Sequence, residues 1–251
     1  MAIKLVIAGC CGRMGSRIAT LAMTDSMFRV TGALEVRGHQ AIGQDLGSLL
    51  GPKALGVRVT DDATEAIQQG EVLIEFTQPD ATVEHVKVAR RLKVPAVIGT
   101  TGLTTAQRAV VVDAAQDIPI VLSPNMSVGV NLLFELAQLA AKRLGPQYDL
   151  EIVEAHHRAK QDAPSGTAKR LAELLAAIRQ RPPEAIPVHS IRAGDVVGDH
   201  TVIFAGPSER VELTHRAHSR DVFAVGALRA ARFVVNRPAG LYEMSHVLAE
   251  P

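Results

Sequence analysis

With 251 residues, of which 47% are hydrophobic and 21% charged, the chain has the composition of a soluble globular protein with room for one large domain or two smaller ones. A net charge of +1 without a long basic run, aromatics at 3% and no tryptophan give no support to nucleic acid or an anionic membrane as a partner. The two cysteines, Cys10 and Cys11, are adjacent and offer no disulfide framework, and no apolar run approaches membrane-spanning length, so the chain is read as soluble and cytoplasmic.

The chain opens on a short apolar run, Ile3–Ala8, suited to a buried parallel strand. Gly9-Cys10-Cys11-Gly12-Arg13-Met14-Gly15 follows, and Ser16–Met23 resumes with helical spacing. Strand, glycine loop and helix form the context of a dinucleotide-binding fingerprint, although Cys10 stands where GxGxxG has its first glycine. Gly12 would let the backbone approach a pyrophosphate, and Gly15 would let helix and strand pack closely. The next strand, 28–34, ends at Glu35, at the separation where a carboxylate meets adenosine ribose hydroxyls.

Residues 37–56 read as a polar surface loop. Further strand and helix units are expected at 57–60, 62–69, 72–76 and 81–92, the last with Asp80 as N-cap. A strand at 95–98 runs into Gly99-Thr100-Thr101-Gly102, a helix spans about 104–116, and a strand at 119–122 runs into Ser123-Pro124-Asn125-Met126. Both loops would lie at the carboxyl ends of parallel strands, where open α/β sheets bind ligands.

Residues 127–129 read as a hinge and 130–144 as an amphipathic helix. The alternation over 150–155 predicts a strand that delivers His156, His157 and Lys160 to a loop, Asp162-Ala-Pro-Ser-Gly-Thr167, with a helix behind it. Ser165 and Thr167 are both possible caps. Unpaired N–H groups and partial positive charge at such a helix start favour an anion, so the unit suits a small carboxylate. Strands are expected at 188–193, 200–206, 209–217 and 221–224, then a helix over 227–235, a breaker at 236–240 and a short helix at 241–248. The fold class is α/β: an N-terminal Rossmann-type, doubly wound parallel sheet with a second α+β domain on a mixed sheet. The boundaries fall at 1–127, with 238–251 returning to that domain, and 128–237.

His215 and His218 point to opposite faces of a strand, so no metal site is read there. His39, His85, His189, His200 and His246 show no partner spacing. The vicinal cysteines read as packing groups rather than redox groups.

GxxGRMG at 9–15, FTQPD at 76–80, GTTG at 99–102, SPNMSVGVN at 123–131, EAHHRAKQDAPSGTA at 154–168 and RPAGLYEM at 237–244 together resemble the 4-hydroxy-tetrahydrodipicolinate (dihydrodipicolinate) reductases of lysine and diaminopimelate synthesis. The resemblance runs in order along essentially the whole chain. It implies His156 as general acid/base, Lys160 as proton donor to the reduced ring carbon, His157 on one substrate carboxylate, and Gly166 and Thr167 on the other. It also implies a cofactor, NADH or NADPH, lined by Gly9, Cys10, Cys11, Gly12, Arg13, Met14, Glu35, Gly99, Thr100, Thr101, Ser123, Pro124, Asn125 and Met126. A small dicarboxylate substrate, a homotetramer built through the sheet of 188–224, and domain closure at hinges near 127–130 and 236–240 complete the expectation. Two alternatives stay open on residues alone: another two-domain NAD(P) reductase such as an amino-acid dehydrogenase, or a non-catalytic NAD(P)H sensor. Neither accounts for a lysine and two histidines beside an anion cradle.

Overall fold

The computed structural model describes residues 1–250, and the chain divides into two compact units, Met1–Met126 with Phe223–Pro251, and Ser127–Val222. Pro251, the last residue of the returning segment expected from sequence, lies outside the described residues.

The first unit begins with strand and helix in alternation: β1 (Ile3–Ala8), α1 (Arg13–Thr24), β2 (Phe28–Leu34), α2 (Leu46–Leu50), β3 (Val59–Thr60), α3 (Ala63–Ile67), β4 (Val72–Glu75), α4 (Pro79–Leu92), β5 (Ala96–Ile98), α5 (Thr105–Ala114) and β6 (Pro119–Leu122). These strands pair in parallel in the order β6-β5-β4-β1-β2-β3, so every strand presents its carboxyl end to the same edge. Near-continuous apolar runs are what a sheet covered on both faces requires, and Leu5–Ala8 and Val72–Ile74 are fully buried. On one face Val86, Ala89, Val111 and Ala114 of α4 and α5 pack against Val6, Leu73, Ile98 and Ile120.

The 37–56 segment is not plain surface loop, because Asp45 caps α2 through Ser48 N–H (3.0 Å) and also accepts from Leu55 and Val57 N–H (3.0 Å each). One carboxylate thereby organises the segment, and Leu46 becomes fully buried. Asp80 is not the cap of α4: Pro79 occupies the first turn, where its missing N–H costs nothing, and Gln78 precedes it. The Asp80 carboxylate instead accepts from Gln107 Nε2 at 2.6 Å.

The second unit holds α6 (Val128–Leu144), β7 (Asp149–His156), α7 (Gly166–Arg179), β8 (Val188–Arg192), β9 (Gly198–Ala205) and β10 (Arg210–Ala217). Its sheet has the order β10-β9-β7-β8, antiparallel except for β7 with β8. The inward residues Leu150, Ile152, Val202 and Phe204 pack beneath Leu133, Phe134 and Ala137 of α6 and Leu171 and Leu175 of α7. The other face carries Val153 and Ile203, half-buried, and at its margin Ile191, exposed.

The chain then returns to the first unit through α8 (Asp221–Val234), β11 (Gly240–Tyr242) and α9 (Met244–Leu248). Residues 221–224 are therefore the first turn of a helix and not a strand. Buried Ala224, Ala227, Leu228 and Ala231 recur at helical spacing, and a Cβ on Gly226 would lie 1.7 Å from the Met126 carbonyl, so only glycine allows the helix this close. Because α8 packs on Met126, the return begins at Phe223 and not at 238. β11, unforeseen within the 236–248 reading, adds in parallel to β6, with Leu241 opposite Ile120. No helix among the described residues is long and apolar enough to cross a membrane.

Candidate active site

The carboxyl edge of the first unit's sheet gathers the predicted cofactor residues. Gly9 turns the chain at the end of β1 with φ +72, and its carbonyl accepts from Gly12 N–H at 2.9 Å. A Cβ on Gly15 would sit 2.0 Å from the Gly9 carbonyl, so α1 packs onto the loop only because residue 15 is glycine. Gly12 precedes α1 without a side-chain cap, and the first turn holds no acid, which leaves its N–H groups and dipole to an anion. Arg13 is exposed there and Met14 half-buried.

Glu35, just past β2, folds onto this loop: its carboxyl accepts from Cys11 N–H and Val36 N–H, each at 2.9 Å. The Cys10 and Cys11 sulfurs lie 3.8 Å apart, and burial pushes both thiols up, Cys10 strongly. Thiols held protonated are poor nucleophiles and suit a packing role. Behind Glu35, His39 N–H closes a turn on Val36 O (3.0 Å), with Gly38 at φ +79 and Arg37 exposed at its corner.

At the neighbouring strand ends, Gly99 lies against the Phe76 ring, Thr100 is buried with its hydroxyl accepting from Thr82 Oγ1 (2.8 Å), and Thr101 is exposed. Ser123 Oγ donates to Asn125 O (2.8 Å) to form a tight turn that exposes Pro124 and buries Met126. An uncapped helix start, a glycine that admits close approach and a carboxyl at the next strand end fit the pyrophosphate and ribose of a nicotinamide dinucleotide.

In the second unit, β7 alternates cleanly, and its inward face ends in two polar groups, Glu154 and His156. Glu154 is 0% exposed. Arg192 at the end of β8 grips it with two hydrogen bonds (2.8 and 2.9 Å), and His156 Nδ1 donates to it at 2.5 Å. Burial pushes the Glu154 carboxyl up, but hydrogen bonds from Arg192, Ser190 and His156 outweigh it and hold it at about 2. With Nδ1 committed to Glu154, the proton-exchanging atom of His156 is Nε2, which faces Gly198, where a Cβ would come within 3.1 Å. Burial lowers the His156 pKa, against the opposing pull of Glu154.

His200 meets the His156 ring edge-on at 5.2 Å, and burial lowers it to about 3. Ser165 is the cap of α7: its hydroxyl accepts from Ala168 N–H (3.2 Å) and lies 3.1 Å from His200 Nε2. Gly166 and Thr167 thus begin an eligible anion-binding helix end next to this cluster. Lys160 Nζ pairs with Asp162 at 2.6 Å. His157 faces a cleft of about 600 Å³ together with Arg158, Asp195 and Arg220.

Glu154, Arg192 and His200 were not assigned from sequence. Glu154 was legible in principle, since positions i and i+2 of a strand share a face and it precedes His156 by two. Arg192 and His200 were not, because only the sheet register sets His156 opposite Arg192 and Glu154 opposite His200.

Residues 3–126 match the family described as "Dihydrodipicolinate reductase, N-terminus" and residues 129–248 match "Dihydrodipicolinate reductase, C-terminus". The chain belongs to the dihydrodipicolinate reductase family. Relatives named 4-hydroxy-tetrahydrodipicolinate reductase from Anaeromyxobacter dehalogenans (47% identical, over 98% of this chain and 97% of the relative) and Nitrosomonas europaea (46%, 98% of each) span its full length. Among solved structures, the dipicolinate-bound dihydrodipicolinate reductase from Paenisporosarcina sp. TG-14 is similar with a TM-score of 0.81 and 27% identity, covering 97% of this chain and 98% of that one.

In this member of the reductase family the two buried imidazoles make stability depend on pH. The unfolded chain takes up their protons near the ordinary value of 6.5, whereas the folded chain resists down to about 3 at His200. Their contribution is therefore complete above that ordinary value and is lost as pH falls below it. In urea unfolding, His200→Gln is expected to flatten the dependence of stability on pH between about 6 and 4 by up to about 1.4 kcal/mol per pH unit. An unchanged slope would show that His200 is not held neutral.

Proposed function

We propose that this chain catalyses NAD(P)H-dependent reduction of 4-hydroxy-tetrahydrodipicolinate to tetrahydrodipicolinate in lysine and diaminopimelate synthesis, in the cytoplasm. The observation that carries the reading is the match of both family halves, in order, along a chain whose second unit gathers His156, Lys160 and the start of α7. The substrate loses its 4-hydroxyl group as water, and the ring carbon–carbon double bond left behind takes a hydride at one carbon, which the reduced nicotinamide would supply when bound. Lys160 delivers a proton from Nζ to the neighbouring carbon, and its partner Asp162 restrains that side chain. His156 exchanges a proton at Nε2 as general acid/base, with Glu154 fixing the ring and stabilising the positive charge that forms on it. One substrate carboxylate rests against His157, beside Arg158 and Arg220, and the other takes the N–H groups of Gly166 and Thr167 together with the Thr167 hydroxyl.

A steady-state assay of NAD(P)H oxidation on the coupled synthase product tests this directly, and absence of turnover would refute it. Lys160→Ala and His156→Gln are expected to lower kcat by roughly 10²–10⁴-fold with the fold intact by circular dichroism, the range for a positioned acid or base. Near-normal rates in both would move the proton source to water or another group.

For the cofactor, we propose that both NADH and NADPH serve, with NADH at least as good. The Glu35 carboxyl suits ribose hydroxyls and disfavours a 2′-phosphate. Residues 36–39 turn instead of running on as an extended segment, and Arg37 stands exposed at the corner. It is therefore available to a 2′-phosphate, which keeps NADPH competent. Kinetics with each cofactor at matched substrate are expected to favour NADH modestly, and Arg37→Ala should weaken NADPH alone. A preference for NADPH of about a hundredfold, abolished in that variant, would show that Arg37 dominates over Glu35.

Among the described residues no helix of its own unit covers the sheet face bearing Val153 and Ile203, which supports a homotetramer built through residues 188–224. Light scattering at micromolar concentration is expected to give a tetramer mass, and a monomer mass would contradict it.

A further inference from the structure

The first unit buries a second acid, which the reaction does not use. Glu75 is the last residue of β4, lies at the centre of the sheet between β1 and β5, and is 0% exposed. The residues before it on the strand, Val72–Ile74, are apolar, and a further aliphatic residue would serve the core as well. A buried carboxyl is costly unless each oxygen finds partners, so the identity of those partners shows what it is for.

One oxygen lies 2.7 Å from His85 Nδ1, on the second turn of α4. The other accepts a very short hydrogen bond from Thr77 Oγ1 and lies 3.4 Å from Thr82 Oγ1. Thr82 donates in turn to Thr100 Oγ1 at 2.8 Å. The intervening Phe76 touches two further loops: its carbonyl would be 2.9 Å from a Cβ on Gly9, and its ring 2.2 Å from a Cβ on Gly99. The partners of Glu75 thus belong to the loop after β4 and to α4 behind it, and the neighbours of Phe76 to the loops after β1 and β5, the three loops at the middle of the sheet's carboxyl edge.

We propose that Glu75, braced by His85, is a positioning residue for cofactor binding: through Thr77, Thr82 and Thr100 it locks the loop after β4 to the Gly99–Thr101 loop. This rests on the reading that these loops hold the nicotinamide dinucleotide. The pair touches no cofactor itself and acts by fixing loop conformation before binding, which lowers the ordering cost at the moment of association. Glu75 supplies acceptors, and His85 holds the carboxyl in place without competing for the oxygen that the threonines use. Two separate hydroxyl bonds result, from Thr77 into Glu75 and from Thr82 into Thr100, with Thr82 Oγ1 held 3.4 Å from the carboxyl oxygen that Thr77 uses.

The experiment compares wild type, Glu75→Ala, Glu75→Gln and Thr82→Val in the full chain. NADH dissociation constants come from the fluorescence of bound NADH, alongside KM for each substrate and kcat. Thr82→Val, which keeps shape and removes the hydroxyl, is expected to raise the NADH dissociation constant and KM about threefold to tenfold, the worth of a lost hydrogen bond. The KM for the dicarboxylate substrate and kcat at saturating NADH should stay at the wild-type values. Glu75→Ala should weaken NADH further, and Glu75→Gln, with an acceptor for Thr77 and a donor for His85, should restore most of the affinity. If Glu75→Ala does not fold, Thr82→Val with Glu75→Gln decides. Unchanged NADH affinity in Thr82→Val, or equal losses in the two KM values, would overturn the proposal and leave Glu75 a purely structural group. Failure of the wild type itself to bind NADH would overturn the cofactor reading and the proposal together.

Discussion

The second unit depends on one buried carboxylate. Glu154 sits at the end of a strand, with no contact with water, and would be expelled or protonated were it not held by Arg192, His156 and the Ser165 N–H. Those partners come from three separate elements, so satisfying the charge fixes the end of β8, the tautomer of the His156 imidazole and the entry into α7 together. The same Arg192 also reaches the Asp162 carbonyl at 2.6 Å, which ties the loop carrying Lys160 to the same anchor. Removal of one partner from such a network leaves a buried charge uncompensated, which is why its members are coupled and not additive.

The first unit repeats this logic with a different charge balance. Glu75 is also fully buried at a strand end, yet it has a histidine and threonines as partners where Glu154 has an arginine. Hydroxyls and imidazole are weaker donors than guanidinium, and they come from the loop after β4 and from α4 behind it. In both units, a strand delivers an acid to the sheet edge and the acid orders the loops around it.

Most of the architecture was legible because parallel strands buried on both faces read as apolar runs, and glycine loops punctuate them in order. The region from 221 onwards was not. Val222-Phe-Ala-Val225 is a short apolar run such as a buried strand shows, and only the longer spacing of Ala224, Ala227, Leu228 and Ala231 discloses a helix. β11 contributes three residues, too few for any period to show. Within the site, residues contiguous in sequence could be read together, from His156 to Thr167. Arg192 and His200 reach the same place through strand pairing, which no local pattern encodes. His85 carried no recognisable spacing because its partner, Glu75, lies on the preceding strand and meets it through the packing of α4 on the sheet.

The return of the chain to its starting unit has a consequence for biosynthesis. β6 is complete when residue 122 leaves the ribosome, but the strand that closes its outer side lies at 240–242. Translation of the intervening segment lasts on the order of ten seconds at ordinary elongation rates. Throughout that interval the nascent sheet carries an apolar edge, Pro119–Leu122, with unpaired backbone groups able to recruit another strand. The interval spans the making of the whole second unit, so the outer side of β6 stays open to pairing until nearly the last residues of the chain have been added.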